Sequence, residues 1–121
     1  MRKYRVVTLC GSTRFKDKMM EVAEGLTLDG HIVLMPNVFR HDDENFPIEA
    51  KIQLDNLHRE KINMSDAIFV VNIDKYIGES TFGELDWARR MKKEIYFLEP
   101  MEEPTNEDSK QDSEPAASKE N

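Results

Sequence analysis

The stretch VVTLCGSTRF, residues 6–15, decides the fold. A run of mostly apolar residues ends at Cys10, gives way to Gly11, Ser12, Thr13 and Arg14, and is followed at once by a helix-like pattern. Apolar residues without polar alternation predict a strand buried on both faces, as in parallel sheets with helices on each side. The polar turn after it has two physical readings. Backbone N–H groups and the positive end of a helix dipole converge there, which suits an anion; equally, Ser12 or Thr13 can cap the helix with no ligand present.

Working outward, YRVVTLC at 4–10 is the first strand and HIVLMP at 31–36 the second, stopped by Pro36. Between them Phe15, Met19, Val22, Ala23 and Leu26 recur at helical spacing, and Gly30 is placed to end the helix. A polar loop, NVFRHDDENFPIEA, follows at 37–50; its length is of the kind usually tied to function. A second helix is predicted over 48–64, with Ile52, Leu54, Leu57, Lys61 and Ile62 on one face. DAIFVVNI at 66–73 is the most apolar run and reads as a central strand. The loop DKYIGEST, the helix FGELDWARRMKK and the strand EIYFLEP complete the domain.

This β-α-β-α-β-α-β order predicts an α/β fold with right-handed crossovers and helices on both faces. The compact solution is a small flavodoxin-like, three-layer fold with a four-stranded parallel sheet in the order 2-1-3-4. The chain then reverses direction between strands 1 and 3, and the crevice at that switch point is the expected ligand site. GSTR after strand 1 and NIDKYIGEST after strand 3 line it.

Residues 1–100 form the predicted domain. Residues 101–121 form an acidic tail too poor in apolar groups to fold, holding seven acidic and two basic residues and so five of the seven net negative charges. The body has no basic excess, and RRMKK at 89–93 is explained by a helix C-terminus, so no nucleic-acid partner is expected. One cysteine, Cys10, permits no internal disulfide. At a strand end it suits a buried, inert thiol, and a catalytic role requires a histidine near it in space. The N-terminus lacks the pattern of a secretion signal and no apolar run reaches membrane-spanning length. A cytoplasmic protein with no membrane association is expected. His31, His41 and His58 lack metal-ligand spacing, so no metal site and no cofactor are predicted. Met19, Met20, Met64 and Met91 suit core filling.

YIGESTFGELDWA, at 76–88, brings Glu79 and Glu84 together with Gly78, Ser80 and Thr81. Ser80 or Thr81 can cap the third helix, with Glu84 in its first turn or so, and Thr81 with Glu84 has capping-box spacing. The functional alternative assigns one carboxylate as nucleophile and another group as acid or base, the division of labour that cleavage through an oxocarbenium-like state needs.

Taken together, LCGSTRF, SDAIFVVN and GELDWARRMKKEIYFL, spread over residues 4–99, resemble the nucleoside 2-deoxyribosyltransferase family and its relatives that hydrolyse nucleoside 5'-monophosphates. The resemblance implies that Glu84 is the nucleophile on the anomeric carbon. It also implies that Gly11, Ser12, Thr13 and Arg14 bind the sugar or its 5'-phosphate, with Gly78, Ser80 and Thr81 nearby. Arg14 favours a phosphorylated ligand. The chain departs from the family in two places. Gly78 stands where an aspartate or serine is usual, leaving Glu79 or Ser80 to serve. His58 stands where an aspartate is usual on the preceding helix, with Asp55 one turn earlier, and a histidine there can move protons near neutral pH. The partners implied are a small-molecule nucleoside or nucleotide and a second copy in a homodimer or larger oligomer. The rival expectation is a non-catalytic nucleotide-binding or sensing module of the same fold.

Overall fold

The computed structural model describes residues 3–37 and 46–101. Four strands, β1 (Val6–Gly11), β2 (Ile32–Leu34), β3 (Ala67–Val71) and β4 (Glu94–Phe97), alternate with three helices, α1 (Lys16–Leu28), α2 (Ile48–Met64) and α3 (Glu79–Arg90). The sheet is wholly parallel in the order β2-β1-β3-β4, with Cys10 paired to Val70 and Gly11 to Val71. This is the predicted α/β topology. His41 and nearly all of the acidic tail lie outside the described residues.

Side-chain alternation divides the sheet between two cores. Leu9, Phe69 and Val71 point to one face and pack with Met19, Val22, Ala23 and Leu26 of α1. Cys10, Ile68 and Val70 point to the other and meet Ile62 of α2 and Leu85 and Ala88 of α3. One helix cannot cover a face of four strands, and Tyr96, next to Phe69 in the β3–β4 register, is left 49 % exposed. Gly30 ends α1 at φ +97°, the left-handed position its placement predicted.

Three expectations are corrected by the structure. The buried stripe of α2 is His58 and Ile62 with Leu54 beside them, while Ile52 and Leu57 face solvent. Lys61 lies on the inner side because its ammonium donates to the Met35 carbonyl at 2.7 Å, pinning the exit of β2. Of the four methionines expected in the core only Met19 is buried; Met20, Met64 and Met91 are exposed. Lastly, α3 starts at Glu79, not at Phe82. Its N-cap is Gly78, whose carbonyl accepts from Phe82 N–H at 2.8 Å, so Ser80 and Thr81 lie within the first turn and neither caps it. Glu84 consequently falls in the second turn.

The loop after β3 is held by a carboxylate. Asp74 and Lys75 adopt left-handed φ angles of 56° and 62°, and their N–H groups donate to the two oxygens of Glu99 at 3.0 and 3.2 Å. Successive N–H groups in such a turn form a concave anion cradle, here filled by the chain's own C-terminal segment. Asn72 locks the register by exchanging two hydrogen bonds with the Glu99 backbone. Glu99→Ala is expected to cost about 1–2 kcal/mol in urea denaturation. Adding Lys75→Gly, which relieves the backbone strain at that position, should recover part of the loss.

Candidate active site

Three elements deliver side chains to the switch point. Gly11, at the end of β1, lies so close to β3 that a Cβ there would sit 3.1 Å from the Val71 carbonyl oxygen, so any side chain at this position has to push β3 back by a few tenths of an ångström. The cleft beyond it is lined by Gly11, Thr13, Pro36, Asn37, Leu54, Asp55, His58, Ser80 and Glu84 and encloses about 100 Å³. That is below the ~300 Å³ at which pockets begin to engulf a drug-sized ligand. It suits a sugar-sized group whose substituents extend beyond the mouth.

The structure thus brings together five of the expected site residues: Gly11, Thr13, His58, Ser80 and Glu84. The others lie around them. The Ser12 hydroxyl accepts from Arg14 N–H at 3.2 Å and so caps the single 3-10 turn Thr13–Phe15 that leads into α1; α1 itself has Phe15 as N-cap and no side-chain cap. Arg14 stacks its guanidinium over the Tyr76 ring at 4.3 Å, and Phe15 meets the same ring edge-on. Tyr76 therefore ties the loop after β1 to the loop after β3. A guanidinium stacked on its face keeps its in-plane N–H groups for an anion. Gly78 packs against Tyr76, Thr81 is buried away from the cleft wall, and Glu79 is exposed and outside the lining.

At the floor, Cys10, His58 and Glu84 meet. His58 Nε2 is 3.6 Å from Cys10 Sγ and 3.5 Å from Glu84 Oε1. Burial pushes the Glu84 carboxyl up to about 7, with the charge of Asp55 adding to the rise and the Cys10 thiol and Arg59 opposing it. Burial likewise pulls His58 down to about 4, helped by the positive charge of Lys61 and partly offset by the Leu9 backbone. The imidazole is therefore neutral at pH 7, and its contact with Glu84 is one between a neutral ring and a half-titrated acid, not an ion pair. Cys10 meets the spatial condition for a catalytic thiol, since a histidine adjoins it, yet burial and then the Glu84 charge hold its pKa well above the ordinary range. It is a thiol at neutral pH and no nucleophile.

Two ionisable members of the site were not among the expected site residues. Cys10 reads in sequence as the last apolar residue of a strand, and only the sheet register shows that it faces α2 and α3. Asp55 lies in the cleft wall one turn before His58; its signal was the i, i+3 spacing from that histidine.

A carboxylate raised by burial at the switch point of a small parallel sheet invites comparison with enzymes of this architecture. The chain shares its fold with the 2-desoxiribosyltransferase from Leishmania mexicana, at TM-score 0.59 and 20 % identity over 93 % of this chain and 74 % of that one. It is similar also to the CMP N-glycosidase BcmB of Clostridium botulinum, at TM-score 0.52 and 19 % identity over 77 % of this chain and 67 % of that one. No protein-family profile and no curated protein matches the chain in sequence. Among the described residues no helix is long and apolar enough to cross a membrane.

Proposed function

We propose that this protein cleaves the N-glycosidic bond of a nucleoside or its 5'-monophosphate, a deoxyribonucleotide above all, with Glu84 as nucleophile. The observation that carries the reading is the Glu84 carboxyl itself, mostly buried at the floor of the cleft and poised at about 7. The names of the two enzymes with this fold point the same way. The ionised carboxylate attacks the anomeric carbon as the C–N bond breaks. The base leaves with the bonding electrons and takes a proton from water or from Asp55 or Ser80 in the cleft wall. Water or a second base then attacks the glycosyl ester and frees Glu84. Glu79 lies outside the cleft lining and does not share this work, and neutral His58 stands beside Glu84 at 3.5 Å.

Thr13 and the backbone at Gly11 face the sugar, and Arg14 is the group to receive a 5'-phosphate. The uncovered sheet face around Tyr96 favours a homodimer, in the reducing cytoplasm that suits a lone thiol. The test is chromatographic detection of free base after incubation with deoxy- and ribonucleosides and their 5'-monophosphates. Base should be released fastest from a monophosphate. Arg14→Gln should raise KM for that substrate about 10- to 100-fold, the value of one lost charged contact, and leave the unphosphorylated nucleoside unchanged. Binding of nucleotide without release of any base would replace the enzyme by the binding-module reading.

A further inference from the structure

Cys10, His58 and Glu84 come from β1, α2 and α3, and a thiol, an imidazole nitrogen and a carboxylate oxygen lie within 4.8 Å of one another. A hydrogen-bonded trio is one use of such a cluster, and its spacing fits another. In a tetrahedral zinc site with ordinary bond lengths, sulfur and nitrogen ligands stand about 3.5 Å apart and nitrogen and oxygen ligands about 3.3–3.4 Å. The distances here are 3.6 Å for Cys10 Sγ to His58 Nε2 and 3.5 Å for His58 Nε2 to Glu84 Oε1. Two of the three separations match those about a common centre, and the third, Cys10 Sγ to a Glu84 oxygen, lies within the 4.8 Å span of the cluster; each donor is carried by a sheet or helix whose packing fixes it.

We propose that these three side chains bind one thiophilic divalent cation of the zinc class, with a water from the cleft as fourth ligand, and that its occupancy and catalytic turnover exclude one another. On binding, the Cys10 thiol gives its proton to solvent and its sulfur to the metal, His58 uses its Nε2 lone pair, and Glu84 uses an oxygen. That oxygen belongs to the carboxylate proposed as nucleophile, so a metal-bound Glu84 cannot attack an anomeric carbon. The facing charges are mixed. Lys61 and Arg59 act on the cluster with positive charge and Asp55 with negative, while the Lys61 ammonium is already engaged by the Met35 carbonyl. Thiolate and imidazole select zinc or its spectroscopic substitute cobalt(II) over magnesium or calcium, which prefer all-oxygen sites.

The metal site stands apart from the proposed reaction; only the exclusion rests on it. Because the chain contains a single cysteine, cobalt(II) titration of the full-length protein reports Cys10 directly. The expected result is one equivalent of cobalt bound, with thiolate-to-cobalt charge-transfer absorption and tetrahedral ligand-field bands, both displaced by zinc and absent from Cys10→Ser. His58→Gln should weaken cobalt binding at least tenfold. A spectrum with no thiolate band, as cobalt held by the acidic tail alone would produce, overturns the site. In the base-release assay one equivalent of zinc should abolish turnover, and a chelator should restore it. Undiminished turnover at saturating zinc overturns the exclusion while leaving the spectroscopic result to decide the site.

Discussion

Glu84→Gln is expected to lower kcat/KM for base release by about 1,000-fold or more, the scale on which removal of a nucleophile acts, with nucleotide binding retained. Glutamine keeps the shape of the side chain and cannot form a glycosyl ester. The wild-type pH profile carries the same information without a mutation. Only the ionised carboxylate attacks, and in the folded protein it ionises at about 7. Measured in a chelator, so that the cluster is free of metal, kcat/KM should rise tenfold per pH unit below about 7 and level off above it. The raised value follows from burial of Glu84 between β1, α2 and α3, so it belongs to the free enzyme that kcat/KM reports. Equal activity at pH 5 and pH 8 would remove Glu84 from the nucleophile's role.

The frame of this site is legible in the sequence because few physical choices were open. Apolar runs at 6–10 and 67–71 can be satisfied only as strands covered on both faces, and a β-α-β-α-β-α-β order closes most simply as 2-1-3-4. The switch point then selects the ends of β1 and β3, and with them Gly11, Thr13, Ser80 and Glu84. What remained hidden depended on side-chain direction. Ser80 and Thr81 are residues that favour helix caps, yet α3 extends one turn further back to Gly78, which shifts Glu84 from the helix entrance to the cleft floor. Ile52 and Leu57 resemble core residues by composition; the inner face of α2 instead presents a histidine to a cysteine and a glutamate. Spacing along the chain cannot reveal a cluster whose members are 48 and 26 residues apart and meet only after the sheet has formed.

That cluster makes opposite demands on pH, and the second large effect expected is in stability. For Glu84 the unfolded chain releases its proton near 4.5 and the folded protein at about 7. Below 4.5 both states hold the proton and nothing is lost. Between those values the unfolded state is favoured by about 1.4 kcal/mol per pH unit, so about 3 kcal/mol of stability is gone above pH 7. For His58 the unfolded chain takes up a proton at 6.5 and the folded protein only at about 4; stability is complete above 6.5 and falls by a similar ~3 kcal/mol as the pH drops to 4. The two slopes cancel over most of the shared range, so the pair leaves little trace in the wild-type profile. Single substitutions separate them. The stability of Glu84→Gln relative to wild type should increase by about 3 kcal/mol from pH 4.5 to pH 7, and that of His58→Gln should increase by as much as the pH falls from 6.5 to 4. Urea denaturation of the three proteins across this range, taken as differences so that other carboxylates drop out, measures both. Differences independent of pH would mean that both groups titrate as they do in water, and a floor open to water could neither hold back the Glu84 proton nor keep His58 neutral.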